Sequence, residues 1–172
     1  MAIAWVKLEL SLEAFQSEGL QVASATPPMR VSTLRELGDT TSNRERLYAL
    51  NKTCAADIPE RGDFFTYAEY VNRRFESSGY RPEGQVLLLD GDELVGMCAV
   101  SFDSARTWAF IEMTGLLRDY RGRGLATLLK VTALETAGGW GADSVRTIHH
   151  PENTAVITLN RKLGFRDASF EL

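Results

Sequence analysis

At 172 residues the chain is long enough to bury a full hydrophobic core and is read as one domain, 1–172. Its 44% hydrophobic and 24% charged residues are those of a soluble globular protein, and no apolar run reaches the ~20 residues needed to cross a bilayer. A formal net charge of −4, with neither a basic stripe nor an aromatic-basic motif, argues against a nucleic-acid partner.

The charge is uneven: residues 1–103 carry 10 Lys/Arg against 16 Asp/Glu, and residues 104–172 carry 9 against 7. A mildly basic last part suits an anion held toward that end, although solvated surface charge gives the same tally. The opening "MAIAWVKLELSLEAF" lacks the basic stretch, apolar run and small-residue cleavage site of a signal peptide, so the cytoplasm is the expected location. Cys54 and Cys98 have no ligand-like neighbours and are expected to be buried, reduced thiols. His149 and His150 lie side by side without a cysteine partner, so no metal is expected.

In chain order, residues 1–20 carry two periods at once. Trp5, Leu8, Leu12 and Phe15 fit a helical face, Val6, Leu8, Leu10 and Leu12 alternate as in a strand, and the helix is preferred. "GLQVASATPP" reads as a short strand stopped by Pro27 and Pro28. "SNRE" from Ser42 has the capping-box form and opens a helix bearing Leu47, Leu50 and Cys54, with Pro59 beyond its stop. "TYAE" at Thr66–Glu69 opens a second helix, with Tyr67, Val71 and Phe75 on one face and Gly79 at its end. From residue 85 the period becomes that of strands. "VLLLD", "DGDE" and "LVGMCAVSF" form a hairpin turning at Asp90 and Gly91, and "TWAFIEMTGLL" is a third strand. A helix from about Gly124 to Ala137 stops at Gly138 and Gly139. "SVRTIHH" is a strand, "NTAVITLNRKL" a short helix capped by Gly164, and "FRDASFEL" a last strand. Helices, antiparallel strands and then β-α-β-α-β imply a mixed sheet.

The junction "RDYRGRGLA", residues 118–126, sets cations and glycines between a strand and a helix. The first turn of that helix has backbone N–H groups without partners, and the helix dipole places positive charge there. Gly122 and Gly124 let an anion approach the backbone, while Arg121 and Arg123 add charge at the rim; the guest implied is a phosphate or pyrophosphate. No G-x-x-x-x-G-K-[ST] is present, and antiparallel strands precede the loop, which disfavours a nucleoside-triphosphate loop and a dinucleotide fold.

"RGRGLA" fits the R/Q-x-x-G-x-G/A signature, with Arg121, Gly124 and Ala126 in its defining positions, and "NTAVITLNRKLGF" resembles the closing segment of the same group. On these residues the chain resembles the GNAT acyltransferase superfamily over residues 85–166, and in particular a bacterial branch in which some proteins carry two such domains in tandem. The resemblance implies an α/β (α+β) fold with a mixed, mostly antiparallel central sheet of about six to seven strands flanked by helices. It also implies a two-helix substrate-lining segment at 42–80 and an acyl-CoA-binding core at 85–172. Residues 1–20 do not match the family's first strand and read as an atypical extension: a remnant of a preceding domain, a homodimer contact or a lid.

What the resemblance implies for the site is specific by residue. Acetyl-CoA, or another short acyl-CoA, is the co-substrate. Its pantetheine arm pairs along Thr114 to Leu117, including Leu116, and its pyrophosphate rests on the amides of Arg121, Gly122, Arg123, Gly124, Leu125 and Ala126. Arg118 and Arg123 either reach phosphates or stay solvated. Asn153 faces the cofactor, caps the following helix, or does both. Glu112 is the candidate base for the amine nucleophile, with solvent exposure or pairing to an arginine as its other reading. His149 or His150 is a second candidate base. Asn160 stands where many family members have a tyrosine near the thioester sulfur; its amide can hydrogen-bond a thiolate or CoA but cannot act as an acid. The expected activity is acyl transfer to the amine of a small molecule or peptide. A non-catalytic acyl-CoA-binding or sensor module is the alternative. Acidic residues at 43–78 suit a cationic amine or a solvated helix pair, and Phe64, Tyr67 and Tyr70 suit a pocket or the core.

Overall fold

The computed structural model describes residues 2–172 and builds one seven-stranded sheet in the order β2-β3-β4-β5-β6-β1-β7. The strands are β1 (Val6–Ser11), β2 (Met29–Thr33), β3 (Gln85–Asp90), β4 (Glu93–Ser101), β5 (Trp108–Leu116), β6 (Ser144–His149) and β7 (Arg166–Asp167). The helices are α1 (Leu34–Leu37), α2 (Thr41–Ala55), α3 (Tyr67–Tyr70), α4 (Leu125–Gly139) and α5 (Thr154–Lys162). Every neighbouring pair of strands is antiparallel except β5 and β6, which α4 joins as a parallel crossover. The mixed, mostly antiparallel sheet expected from the sequence is what the chain forms.

The first twenty residues are corrected. Alternation wins over the helical spacing, because β1 lies inside the sheet between β6 and β7, with Leu8 and Leu10 buried on one face and Glu9 on the other bonded to Arg146. Val6–Ser11 is therefore a strand of the sheet and not a helix. The strand expected at 19–28 is also absent. That stretch has no regular structure, and β2 begins only after the two prolines, pairing with β3 from Met29↔Asp90 to Thr33↔Val86.

Other boundaries shift by a turn or less. The cap of α2 is Thr40, whose Oγ1 accepts from the amide of Asn43 at 3.2 Å, so the helix starts ahead of the "SNRE" box. The Thr66–Glu69 capping box forms as expected, with Thr66 Oγ1 accepting from the Glu69 amide at 3.3 Å and the Glu69 carboxylate accepting from Thr66 N at 2.8 Å. The chain then continues through a wider turn at Val71–Phe75. The hairpin loop is Gly91–Asp92, one residue later than expected, with Gly91 at φ 58° as a two-residue turn of this hand requires. Gly138 and Gly139 lie inside α4, whose C-cap is Trp140. The last strand is only two residues long, since Ala168 onward leaves the ladder after one bond to Lys7 O.

Two cores sandwich the sheet. On one face α4 and α5 pack Leu129, Leu134 and Ile157 against Val95, Cys98 and Ile111. On the other, α1, α2 and α3 pack Leu47, Leu50 and Tyr70 against Leu87, Met97 and Ala99. Cys54 and Cys98 are free and buried. Among the described residues no helix is long and apolar enough to cross a membrane.

Candidate functional site

The site starts from a failure of two strands to stay paired. β5 and β6 are in register only at Trp108↔Ser144, Ala109↔Val145 and Phe110↔Arg146. Beyond that point β5 keeps its partner β4 and β6 keeps its partner β1, so the two strands part in a wedge. A β-bulge supplies the bend: Ala99 pairs with Met113 and Val100 with Ile111, leaving Glu112 as the extra residue. Thr147 Oγ1 donates to Ile111 O at 3.2 Å and closes the apex. The half of β5 from Ile111 to Leu116 thereby presents an unpaired backbone edge to the gap.

The wedge widens into a cleft of about 770 Å³ that runs from the apex to the start of α4. Of the residues expected at the site, Glu112, Thr114, Leu116, Arg121, Gly122, Gly124, Leu125, Ala126, His149 and Asn153 line it. The α4 end leaves its first-turn amides open to the cleft. Gly124 is its N-cap at φ 76°, a left-handed conformation that a side chain would strain, and no side chain caps the first-turn amides. Gly122 has the same φ of 76°.

Leu117, Arg118, Arg123 and Asn160 do not line the cleft, and the structure gives each a different partner. Leu117 N donates to Val95 O at 2.9 Å. Arg123 donates to Asp119 O and lies over the Tyr120 ring. Arg118 donates through Nε and Nη2 to the carboxylate of Asp57, which also accepts from Arg121 Nη2 at 2.8 Å. The Arg118 and Arg121 hydrogen bonds hold the Asp57 carboxyl down at about 2, so it is ionised at all working pH values. Asp57 is the site residue that sequence reasoning missed; it stood there only as one acid in a charged helical segment.

Asn160 is fully buried on α5 behind the cleft wall and bonds through Nδ2 to His149 Nε2 at 2.8 Å. It thus reaches the cleft through His149 rather than by direct contact. Burial, helped by the positive charge of Lys130, lowers the His149 pKa to about 3, which leaves the ring neutral at physiological pH. Lys130 sits fully buried on α4 with its Nζ unpartnered, and burial lowers its pKa too. Asn153 occupies the N-cap position of α5 but makes no side-chain cap, leaving its amide free toward the cleft it lines.

Glu112 forms an ion pair with Arg74 at 2.6 Å, with both side chains largely buried. The arginine-paired arrangement is the one observed, and Glu112 also lines the cleft. It also borders a second cavity of about 250 Å³, on the other side, walled by Ser78, Asp103, Trp108 and Phe110. Glu112 therefore stands at the junction of the two spaces. Cys54 lines the main cleft, but burial pushes its thiol up to about 11, so it is not a thiolate nucleophile at neutral pH. Tyr70 is buried in the core, whereas Phe64 and Tyr67 are half-buried around Tyr48.

Comparison with known proteins agrees with this geometry. The model of the Acetyltransferase (GNAT) family matches residues 45–165. A stretch of 102 residues, 58% of this chain, is 29% identical to N-alpha-acetyltransferase 30 of the fission yeast Schizosaccharomyces pombe and covers 67% of that protein. Among solved structures, a tandem GNAT protein from the clavulanic acid biosynthesis pathway superposes with a TM-score of 0.68 at 21% identity over 96% of this chain. The chain spans half the length of that tandem protein, 50%. The aminoglycoside acetyltransferase AAC(6')-Iy, solved in complex with a CoA-containing bisubstrate analog, superposes with a TM-score of 0.60 at 16% identity, covering 84% of this chain and 95% of that one. A bulged strand splayed from its parallel neighbour, an anion-ready glycine loop below it and a family match over most of the chain converge on one conclusion: this chain belongs to the GNAT family of N-acetyltransferases.

Proposed function

We propose that the chain transfers a short acyl group, acetyl from acetyl-CoA, to a primary amine of a small molecule or peptide by direct attack. The observation that carries this reading is the continuous cleft from the splayed β5 edge to the uncapped amides at the start of α4. A pantetheine-like arm finds backbone groups along Thr114 to Leu116, and a pyrophosphate finds the first-turn N–H groups of Gly124 to Ala126. The amine enters from the opposite side through the smaller cavity, whose Asp103, Trp108 and Phe110 suit a cationic or aromatic group.

The chemistry divides among this chain's own residues. The nucleophile must lose a proton to attack, and Glu112 at the junction accepts it directly or through a water. Arg74 holds that carboxylate in place. Attack on the thioester carbonyl forms the N–C bond, the C–S bond breaks, and the thiolate takes up the second proton, which the nitrogen loses as it becomes an amide. Neutral His149, whose Nε2 accepts from Asn160 Nδ2, borders the site where the sulfur departs. The location read from the sequence, the cytoplasm, belongs to the same proposal.

A second reading, an acyl-CoA-binding module without turnover, is favoured by one observation: the slot of the usual tyrosine holds Asn160, which is fully buried. Calorimetric titration with CoA followed by a thiol-release assay across an amine panel separates the two. Binding with turnover on an amine supports the enzyme, binding without turnover supports the module, and no CoA binding refutes both.

A further inference from the structure

Asp57 follows α2 and reaches across the mouth of the cleft to the loop that precedes α4. Its two oxygens are taken by two arginines of that loop, Arg118 and Arg121. Arg121 is anchored independently, because its Nε donates to Leu116 O at 3.0 Å; it keeps its place if the carboxylate leaves. The side chains remain 30% exposed for Asp57, 42% for Arg121 and 77% for Arg118, so the pairs lie at a solvated rim. Ion pairs there contribute little to holding a fold together, which makes a purely bracing role weak. A fixed carboxylate against a loop of free amides does have a strong effect on one class of ligand, namely anions arriving at those amides.

We infer that Asp57 is a built-in competitor for the diphosphate of acyl-CoA: its carboxylate occupies Arg118 and Arg121 in the free protein and gives them up when the phosphates bind. The inference rests on the acyl-CoA reading above. As a consequence, the two arginines are shielded from other anions until a ligand with enough charge and reach enters the cleft. The segment from Ile58 to Glu60 on the cleft wall keeps its own backbone bonds, Ile58 N to Ala55 O and Arg61 N to Ile58 O, so the exchange is one of side chains. Asp57 is in this sense a residue that sets selectivity for the cofactor.

The test is calorimetric titration of CoA into the wild type, Asp57→Asn and Asp57→Glu at about 50 mM and about 200 mM salt. Loss of the competing charge is expected to tighten CoA binding about five- to tenfold at the lower salt, with a smaller gain at the higher salt. Asp57→Glu, which keeps the charge, is expected to stay within about twofold of the wild type, and pantetheine, which lacks phosphate, to bind the wild type and Asp57→Asn alike. Equal or weaker CoA binding by Asp57→Asn overturns the inference and makes Asp57 a brace for the arginines, while leaving the cofactor reading intact. Failure of the wild type itself to bind CoA overturns the cofactor reading and this inference with it.

Discussion

Lys130→Met is expected to stabilise the protein, against the usual direction of core substitutions. Lys130 Nζ is fully buried on α4, has no hydrogen-bond partner, and has the Phe165 ring centroid 6.0 Å away. The residue lies on the same helical face as Ala133, Leu134 and Ala137, all buried. A buried polar group without a partner costs ~1–3 kcal/mol, and methionine has a similar length without the polar end, so a gain of ~2 kcal/mol is expected. For a chain of this size that is roughly 4–8 °C in Tm, read by circular dichroism at neutral pH. The pH dependence gives an independent check. Burial lowers the folded-state pKa of Lys130 below its ordinary 10.5, so the unfolded chain holds the proton more tightly. Wild-type stability therefore rises with pH between the folded pKa and 10.5, and the gap to the variant narrows over that window. The variant also removes a positive charge that helps to lower the pKa of His149, which should titrate higher by nuclear magnetic resonance. A destabilised variant, or a gap unchanged with pH, would refute the picture of an unpartnered buried amine.

Three further outcomes follow from the site. Glu112→Gln is expected to lower kcat by ~10²-fold or more while CoA affinity stays within a few-fold; a fully active variant removes Glu112 from the chemistry. Asn160→Leu leaves His149 without its amide partner in a buried setting, and should cost ~1–3 kcal/mol of stability with a smaller loss of kcat than Glu112→Gln, by denaturant titration and steady-state kinetics. Gly115→Ala places a Cβ 2.6 Å from Cys54 Cβ, so α2 or the cleft edge of β5 must shift; CoA binding should weaken, with unchanged affinity counting against contact along that edge.

The parts of the fold carried by local signals were legible: the Thr66 capping box, the hairpin around Gly91, and β5 running into the glycine loop and α4. The parts decided by distant partners were not. β1 has two competing periods, and only its place between β6 and β7 selects the strand, because Leu8 and Leu10 need the core that those neighbours complete. β2 was hidden behind its prolines, and its Met29 and Val31 alternate over too few residues to announce a strand. The glycine loop was legible at the site because its chemistry is local backbone geometry. Asp57 was not, since it lies 61 and 64 positions from the arginines it engages. Lys130 was available in principle, as helical spacing from Ala133, Leu134 and Ala137 puts it on the apolar face of α4. The Arg74 partner of Glu112 comes from the wide turn after α3, inside the stretch expected as helix, and no local signal links it to β5.

In the proposed function an acyl-CoA lies in the wedge with its diphosphate on the amides at the start of α4. Backbone amide chemical-shift mapping by nuclear magnetic resonance, with CoA added stepwise to labelled protein, tests it most directly. Saturable shifts are expected, concentrated at Gly122 to Ala126 and along Thr114 to Leu116. Shifts absent there, or confined to the smaller cavity around Ser78 and Trp108, would contradict it.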